Sequence, residues 1–155
     1  MAETDLHLYE TTRVIIGAFY YVFNRLGSEF LESVYHRALG NALERAGRQV
    51  ERETALSVAF EGMVVGEFRA DLVVDQQVLV EVKAVEYIVA PHEAQVINYL
   101  RASGLPVGLL LNFGPRPRYR RFVGPAARRE GEALPRADEA VDGLPQHQDA
   151  LRSSG

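Results

Sequence analysis

Asp71, Glu81 and Lys83 are the residues of this chain whose types and spacing could do chemistry together. They lie on two adjacent apolar runs, "GEFRADLVVD" and "VLVEVKAV". Lys83 is the only lysine beside sixteen arginines, so an ammonium is kept at one position in a chain that otherwise uses guanidinium. In an extended strand, side chains two apart share a face. Glu81 and Lys83 therefore point one way, and Val78, Val80 and Val82 the other. Burying an unpaired carboxylate or ammonium costs several kcal/mol even after relaxation. That face must be a wet cleft, or something must compensate the charges.

The turn between the two runs decides whether Asp71 joins them. If Asp75, Gln76 and Gln77 form a three-residue loop, Val74 pairs with Val78 and Asp71 falls opposite Glu81. The two Cβ atoms would then stand about 5 Å apart. Such a like-charge pair is destabilising by itself, and a divalent cation between the carboxylates would turn the repulsion into a site. All-oxygen ligation with retained waters suits Mg²⁺ or Mn²⁺. A two-residue loop would instead put Asp71 on the opposite face and abolish the site.

Several elements must position these groups. Residues 6–26 carry Leu8, Thr12, Ile15, Ile16, Phe19, Val22, Phe23 and Leu26 at helical spacing, with Gly27 as a stop. Ser28 is suited to cap a second helix running to about Ala46, with a stripe from Leu31 through Tyr35 and Leu39 to Leu43. The period then changes. "ALSVAF", the run from Met63 to Val74 and "VLVEVKAV" read as three strands in a meander, joined by "EG" and "DQQ" turns. Pro91 suits the first turn of a third helix that stops at Gly104. "LPVGLLLNF" and "RYRRFV" read as the last two strands. The order is α-α-β-β-β-α-β-β, and the expected fold class is α/β, a mixed sheet flanked by helices.

Composition sets the outer bounds. The 155 residues suffice for one domain with a real core, expected over residues 1–123. From 124 to 155 the apolar periodicity disappears into Pro, Gly, Ala and charge, which reads as a flexible tail. The chain has no cysteine, which excludes disulfides, thiolate zinc sites and cysteine nucleophiles. No apolar run reaches membrane-span length and the start lacks a signal-peptide pattern, so a cytoplasmic location without membrane contact is expected. The net charge of -4 hides a local excess: "FGPRPRYRRFV" holds four arginines and no acid. That pattern is compatible with nucleic acid contacted at one face.

Asp71, nine intervening residues and then Glu81-Val82-Lys83 resemble the D-x(n)-E-x-K core of the PD-(D/E)xK nuclease superfamily. Within it, the chain resembles the small GxxExxY family. "LGSEFLESVYHRAL" resembles that family's helix signature, with Glu32 and Tyr35 in place, and "HEAQVINYL" and "GLLLNFG" follow in order. The likeness spans roughly residues 8 to 123. Glu29 stands where the family's opening glycine is expected, and Gly27 lies two residues earlier.

The resemblance implies a restriction-endonuclease-like core and metal-assisted hydrolysis of phosphodiesters. It implies that Asp71 and Glu81 ligate Mg²⁺ (or Mn²⁺), with Glu32 as an additional metal or water ligand. Lys83 would hold or help deprotonate the attacking water. An ammonium suits that task because its pKa can fall near a metal, whereas guanidinium stays protonated. Gln95 and Tyr99, four apart on one helix face, resemble the Q-x(3)-Y pair of recombination nucleases. Gln95 would hydrogen-bond water or phosphate, and Tyr99 would contact nucleic acid or pack in the core. His92 reads as a helix surface residue, and His7, His36 and His147 show no ligand spacing.

Arg116, Arg118, Arg120 and Arg121 are candidates for phosphate contacts; Arg118 and Arg120 share a face while Arg121 points away. The alternative is a solvated edge that protects the sheet from pairing. The functional expectation is a Mg²⁺-dependent nuclease acting on DNA, with a homodimer where paired cuts are required. The competing expectations are a non-catalytic nucleic-acid- or protein-binding module that keeps the fold, and a hydrolase for a small phosphoester.

Overall fold

The computed structural model describes residues 3–125; the expected C-terminal tail lies almost wholly outside the described residues. The elements follow the expected order: α1 (Glu3–Leu26), α2 (Glu32–Arg45), β1 (Val50–Phe60), β2 (Met63–Val74), β3 (Val78–Lys83), α3 (Ala90–Ser103), β4 (Val107–Asn112) and β5 (Arg118–Val123). The five strands form one mixed sheet in the order β1-β2-β3-β4-β5. β3 and β4 run parallel, joined by the α3 crossover, and the other neighbours are antiparallel.

Two apolar layers hold the helices to the sheet. On one face Ile15, Phe19 and Val22 of α1 and Tyr35, Leu39 and Leu43 of α2 pack on Leu72, Val74, Val78, Val80, Val82, Leu109 and Leu111. On the other, Val96, Tyr99 and Leu100 of α3 pack on Ala70, Val73, Leu79 and Leu110. The strand alternation of β3 divides between these layers as its pattern requires. Val78, Val80 and Val82 face α1 and α2, which leaves Leu79, Glu81 and Lys83 on the α3 side.

The β2–β3 turn takes the three-residue form. Asp75 and Gln76 both adopt left-handed φ, 53° and 56°. Gln77 N–H closes on the Val74 carbonyl at 3.0 Å. Gln77 is thus the unpaired third residue, and Val74 pairs with Val78. Left-handed conformations cost a β-carbon-bearing residue roughly 1–2 kcal/mol. Asp75 is held there by external contacts: its carboxylate accepts from Gln49 N–H at 2.9 Å and pairs with Arg48 at 3.1 Å.

The second helix starts later than its sequence suggests. Ser28 does not cap it; the cap residue is Leu31, with extended backbone, and Glu32 is the first helical residue. The reason is tertiary. The Tyr35 hydroxyl donates to the Gly27 carbonyl and accepts from Phe30 N–H at 3.2 Å, holding residues 27–30 as a loop folded over the ring. Leu31 and Val34, expected in the apolar stripe, are exposed in consequence. β1 is also longer than "ALSVAF": it begins at Val50 and pairs with β2 through the charged run "ERET". Only Leu72–Val74 of β2 pair with β3, so the rest of β1 and β2 projects as a two-stranded arm with Phe60, Met63, Val64 and Val65 exposed.

Candidate active site

Asp71 sits where β2 leaves its regular pattern. The β1–β2 register steps from Arg52↔Leu72 to Thr54↔Ala70 with no pairing across Asp71, and Glu53 opposite takes a φ of 50°. The β2–β3 ladder ends at Leu72↔Val80. Ala70 and Leu72, two apart, pack into opposite layers. Alternation is therefore broken at Asp71, and its main chain must find partners outside the ladders.

Side chains supply them. Asp71 N–H donates to Glu81 Oε1 at 3.0 Å, and the Asp71 carbonyl bonds His36 Nε2 at 2.8 Å. In return Val82 N–H donates to Asp71 Oδ2 at 2.7 Å. Each carboxylate thus uses one oxygen to anchor itself on the other's strand. The expected juxtaposition of Asp71 with Glu81 is present, made through carboxylate-to-backbone bonds where a continued ladder would have run.

The charges are out of balance without a counter-ion. Glu81 is 2% exposed. Burial, reinforced by the adjacent Asp71 carboxylate, pushes its pKa up to about 8, and the Lys83 ammonium only partly offsets this. Glu32, at the start of α2, also has a raised pKa. Burial is the main cause and Asp71 adds to it, while Lys83, His36 and His92 pull the other way. These six groups therefore feel one another's fields across two helices and two strands. Glu29 is exposed in the preceding loop.

The Tyr35 ring explains how Glu32 is aimed. It is fully buried and stacks on Phe113 with centroids 4.4 Å apart. The same residue ties down the loop before α2, so the first helical turn is fixed to the end of β4. That end is fixed in turn to the chain leaving β3. Phe113 N–H donates to the Lys83 carbonyl at 2.7 Å. Asn112, 1% exposed, accepts from Val85 N–H at 3.0 Å and donates to the Val85 carbonyl at 2.9 Å. A β-carbon on Gly114 would stand 2.0 Å from that same carbonyl, so only glycine fits. Asn112, Phe113 and Gly114 together hold Lys83 and the segment after it.

The remaining candidates divide. Gln95 Nε2 donates to the Tyr99 hydroxyl at 2.9 Å, and Tyr99 lies in the α3 core against Phe68, with ring centroids 5.4 Å apart. Tyr99 is 8% exposed, so its ring packs in the core and its hydroxyl is taken by Gln95. Arg116, Arg118, Arg120 and Arg121 are exposed, and Arg120 pairs with Glu93 of α3 at 3.3 Å. Two histidines had no signal in the sequence. His36 holds the Asp71 carbonyl, and His92 accepts from Val89 N–H at 3.2 Å at the start of α3 while its charge acts on Glu32. Only the i, i+4 spacing of Glu32 and His36 could have placed the latter near the cleft.

Among the described residues no group of three or more His, Asp or Glu side chains is gathered to hold a metal. The donor chemistry nevertheless fits a hard cation that keeps most of its waters. Two carboxylates face each other, and one of them is protonated near neutral pH unless a positive charge arrives. Asp71 and Glu81 would hold such a cation, with substrate oxygens and water completing its shell.

A mixed five-stranded sheet flanked by helices places the chain in the restriction-endonuclease-like α/β class. Among solved structures, the crystal structure of SSO0001 is similar with a TM-score of 0.47 at 18% identity, over 60% of this chain and 50% of that one. No curated protein matches the chain with statistical significance. A family model for the PD-(D/E)XK nuclease superfamily matches residues 9–122, a span that includes every residue of the cleft. The chain belongs to the PD-(D/E)XK nuclease superfamily.

Proposed function

We propose that this chain is a divalent-metal-dependent nuclease of the GxxExxY type that hydrolyses phosphodiester bonds in DNA. The observation that carries the reading is the reciprocal anchoring of Asp71 and Glu81, with the Lys83 charge acting on the same carboxylate. A cation bound there supplies positive charge to the phosphorane-like transition state and lowers the pKa of a water.

The chain's own groups do the rest. Asp71 and Glu81 hold the cation and, through the Asp71 N–H and Val82 N–H bonds, do so on backbone that cannot shift independently. Lys83, half-buried on the same face as Glu81, places its ammonium where negative charge develops and where the attacking water is oriented. Glu32 accepts a hydrogen bond from water in the cleft, and Gln95 donates to water or phosphate. The β5 arginines line the same face: Arg120 pairs with Leu110, which pairs with Glu81, and Arg118 pairs with Asn112, which pairs with Lys83. This register supports a phosphate track that leads away from the cleft. One cleft cuts one strand, so paired cuts call for two copies.

The test is incubation with linear, single-stranded and branched DNA in Mg²⁺ or Mn²⁺, beside a Lys83→Ala variant. Metal-dependent cleavage lost in the variant supports the reading. Binding without cleavage, indifferent to metal, would instead mark a non-catalytic nucleic-acid-binding module.

A further inference from the structure

Next to the cleft lies a cavity of about 480 Å³ lined by Glu86, Tyr87, Asn112, Arg116, Arg118 and Arg120, among others. Its volume falls in the range of small-molecule sites. We infer that it receives one unpaired base of the substrate strand, stacked on Tyr87, while Arg116 and Arg118 hold the adjoining phosphate. The inference rests on the nuclease reading and narrows its substrate to nucleic acid with a single-stranded segment beside the scissile bond.

Position comes from the sheet register. Lys83 pairs with Asn112 and Asn112 with Arg118, so Arg118 stands two strands, roughly 10 Å, from Lys83. That separation lets a neighbouring nucleotide reach the cavity while its phosphate is held at the cleft. Tyr87 lies four residues beyond Lys83 and is 72% exposed. An exposed aromatic ring is common, but this one stands on a braced backbone: Asn112 takes both main-chain groups of Val85, and Gly114 lets the strand end approach it. A platform fixed before binding loses little entropy when a base stacks on it.

Charge sorts the occupants of the cavity. Among the described residues neither Arg116 nor Arg118 pairs with an acid, whereas Arg120 is held by Glu93. Glu86, next to Tyr87, disfavours a phosphate at that end and leaves it to a neutral base. A base inside a duplex has both faces covered by its neighbours and cannot present one to Tyr87.

The test uses end-labelled single strands carrying one abasic nucleotide, cut by the wild-type chain, Tyr87→Ala and Tyr87→Phe. Base stacking on an aromatic side chain is worth a factor of about ten or more. Wild type should cut the bond beside the abasic nucleotide about tenfold more slowly than the same bond in the intact strand. Tyr87→Ala should be slower on the intact strand by a similar factor and indifferent to the missing base, and Tyr87→Phe should behave as wild type. Cleavage insensitive to the abasic nucleotide, or a Tyr87→Ala defect that adds to it in full, overturns the inference while the nuclease reading stands. Binding of intact and fully abasic strands, measured by anisotropy without metal, separates the two. Base-dependent binding lost in Tyr87→Ala, with no cleavage by wild type, supports the subsite and overturns only the nuclease reading.

Discussion

His36 Nε2 lies 2.8 Å from the carbonyl oxygen of Asp71, a group that no strand neighbour satisfies. For this bond Nε2 must carry the proton, because a carbonyl oxygen can only accept. The imidazole thus acts on the cleft through the backbone of a carboxylate residue, as a positioning group. His36→Ala would leave the half-buried carbonyl without a donor and should cost roughly 1–2 kcal/mol of stability. It should also lower cleavage about tenfold at saturating substrate, with KM little changed, because Asp71 would lose one of its three anchors and hold its carboxylate less accurately. His36→Gln, which can still donate, should recover most of both losses. Equal cleavage by all three proteins in denaturant-monitored and steady-state assays would deny His36 this role.

The raised pKa of Glu81 gives metal-free stability a defined slope with pH. The folded state keeps a proton on Glu81 up to about pH 8, whereas an unfolded glutamate releases it near 4.5. A raised folded pKa contributes stability that is complete below the unfolded value and is lost as pH rises through the folded one. Metal-free stability should therefore decline between about pH 4.5 and 8, by on the order of a few kcal/mol from this group. Glu81→Gln keeps an oxygen to accept from Asp71 N–H and has no proton to lose. Its denaturation midpoint should decline less over that window, with the raised Glu32 still contributing, and exceed wild type at pH 8.5, with cleavage abolished.

The same titration sets metal affinity. Below about pH 8 a cation entering between Asp71 and Glu81 must displace a proton, so apparent Mg²⁺ or Mn²⁺ affinity should rise close to tenfold per pH unit up to that point. Calorimetry of Mn²⁺ binding at pH 7 in two buffers of different ionisation heat should count about one proton released. Zero protons, or an affinity flat with pH in both wild type and Glu81→Gln, would place the cation elsewhere.

What the sequence made legible follows from the range of each interaction. The strands of the meander, the Asp75–Gln77 loop as one of two alternatives, and Glu81 and Lys83 on one face are matters of period two and local turn chemistry. The loop's actual form depended on Arg48 and Gln49, which hold Asp75 from another element. Ser28 has the local credentials of a helix cap, yet the Tyr35 hydroxyl, seven residues on, claims that loop first. Tyr99 matched a two-residue spacing motif, but its place in the α3 core is set by the sheet face it packs on, where its ring meets Phe68 of β2. His36 carried no signal because its partner is a main-chain atom 35 residues away, and a backbone carbonyl leaves no trace in composition.

Asn112 and Gly114 offer a test of how tightly the cleft depends on the end of β4. Asn112→Leu preserves volume and removes both bonds to Val85, leaving two main-chain groups unsatisfied. It should cost roughly 2–4 kcal/mol. Gly114→Ala would drive a methyl to within 2.0 Å of the Val85 carbonyl, so one of the two segments must move. A loss of roughly 1–3 kcal/mol is expected, together with reduced cleavage, since that movement displaces the backbone just after Lys83. Thermal melts that match wild type for both variants would show the brace to be dispensable.

Lys83→Arg asks why the one ammonium of the chain is where it is. The side chain leaves β3 beside Asn112, half-buried, next to the almost fully buried Glu81 carboxylate. Arginine keeps the positive charge and the strand propensity there, so folding and the electrostatic pull on nucleic acid should survive. A planar fork is longer, holds its proton under all conditions, and delivers donors in a fixed plane, whereas an ammonium is a compact charge whose proton can be shared with water. If charge alone mattered, Lys83→Arg would cut DNA within a few-fold of wild type and Lys83→Ala would not. The geometry of the cleft favours the other result: both variants should bind DNA without metal as wild type does, and both should lose cleavage by a factor of about 100 or more.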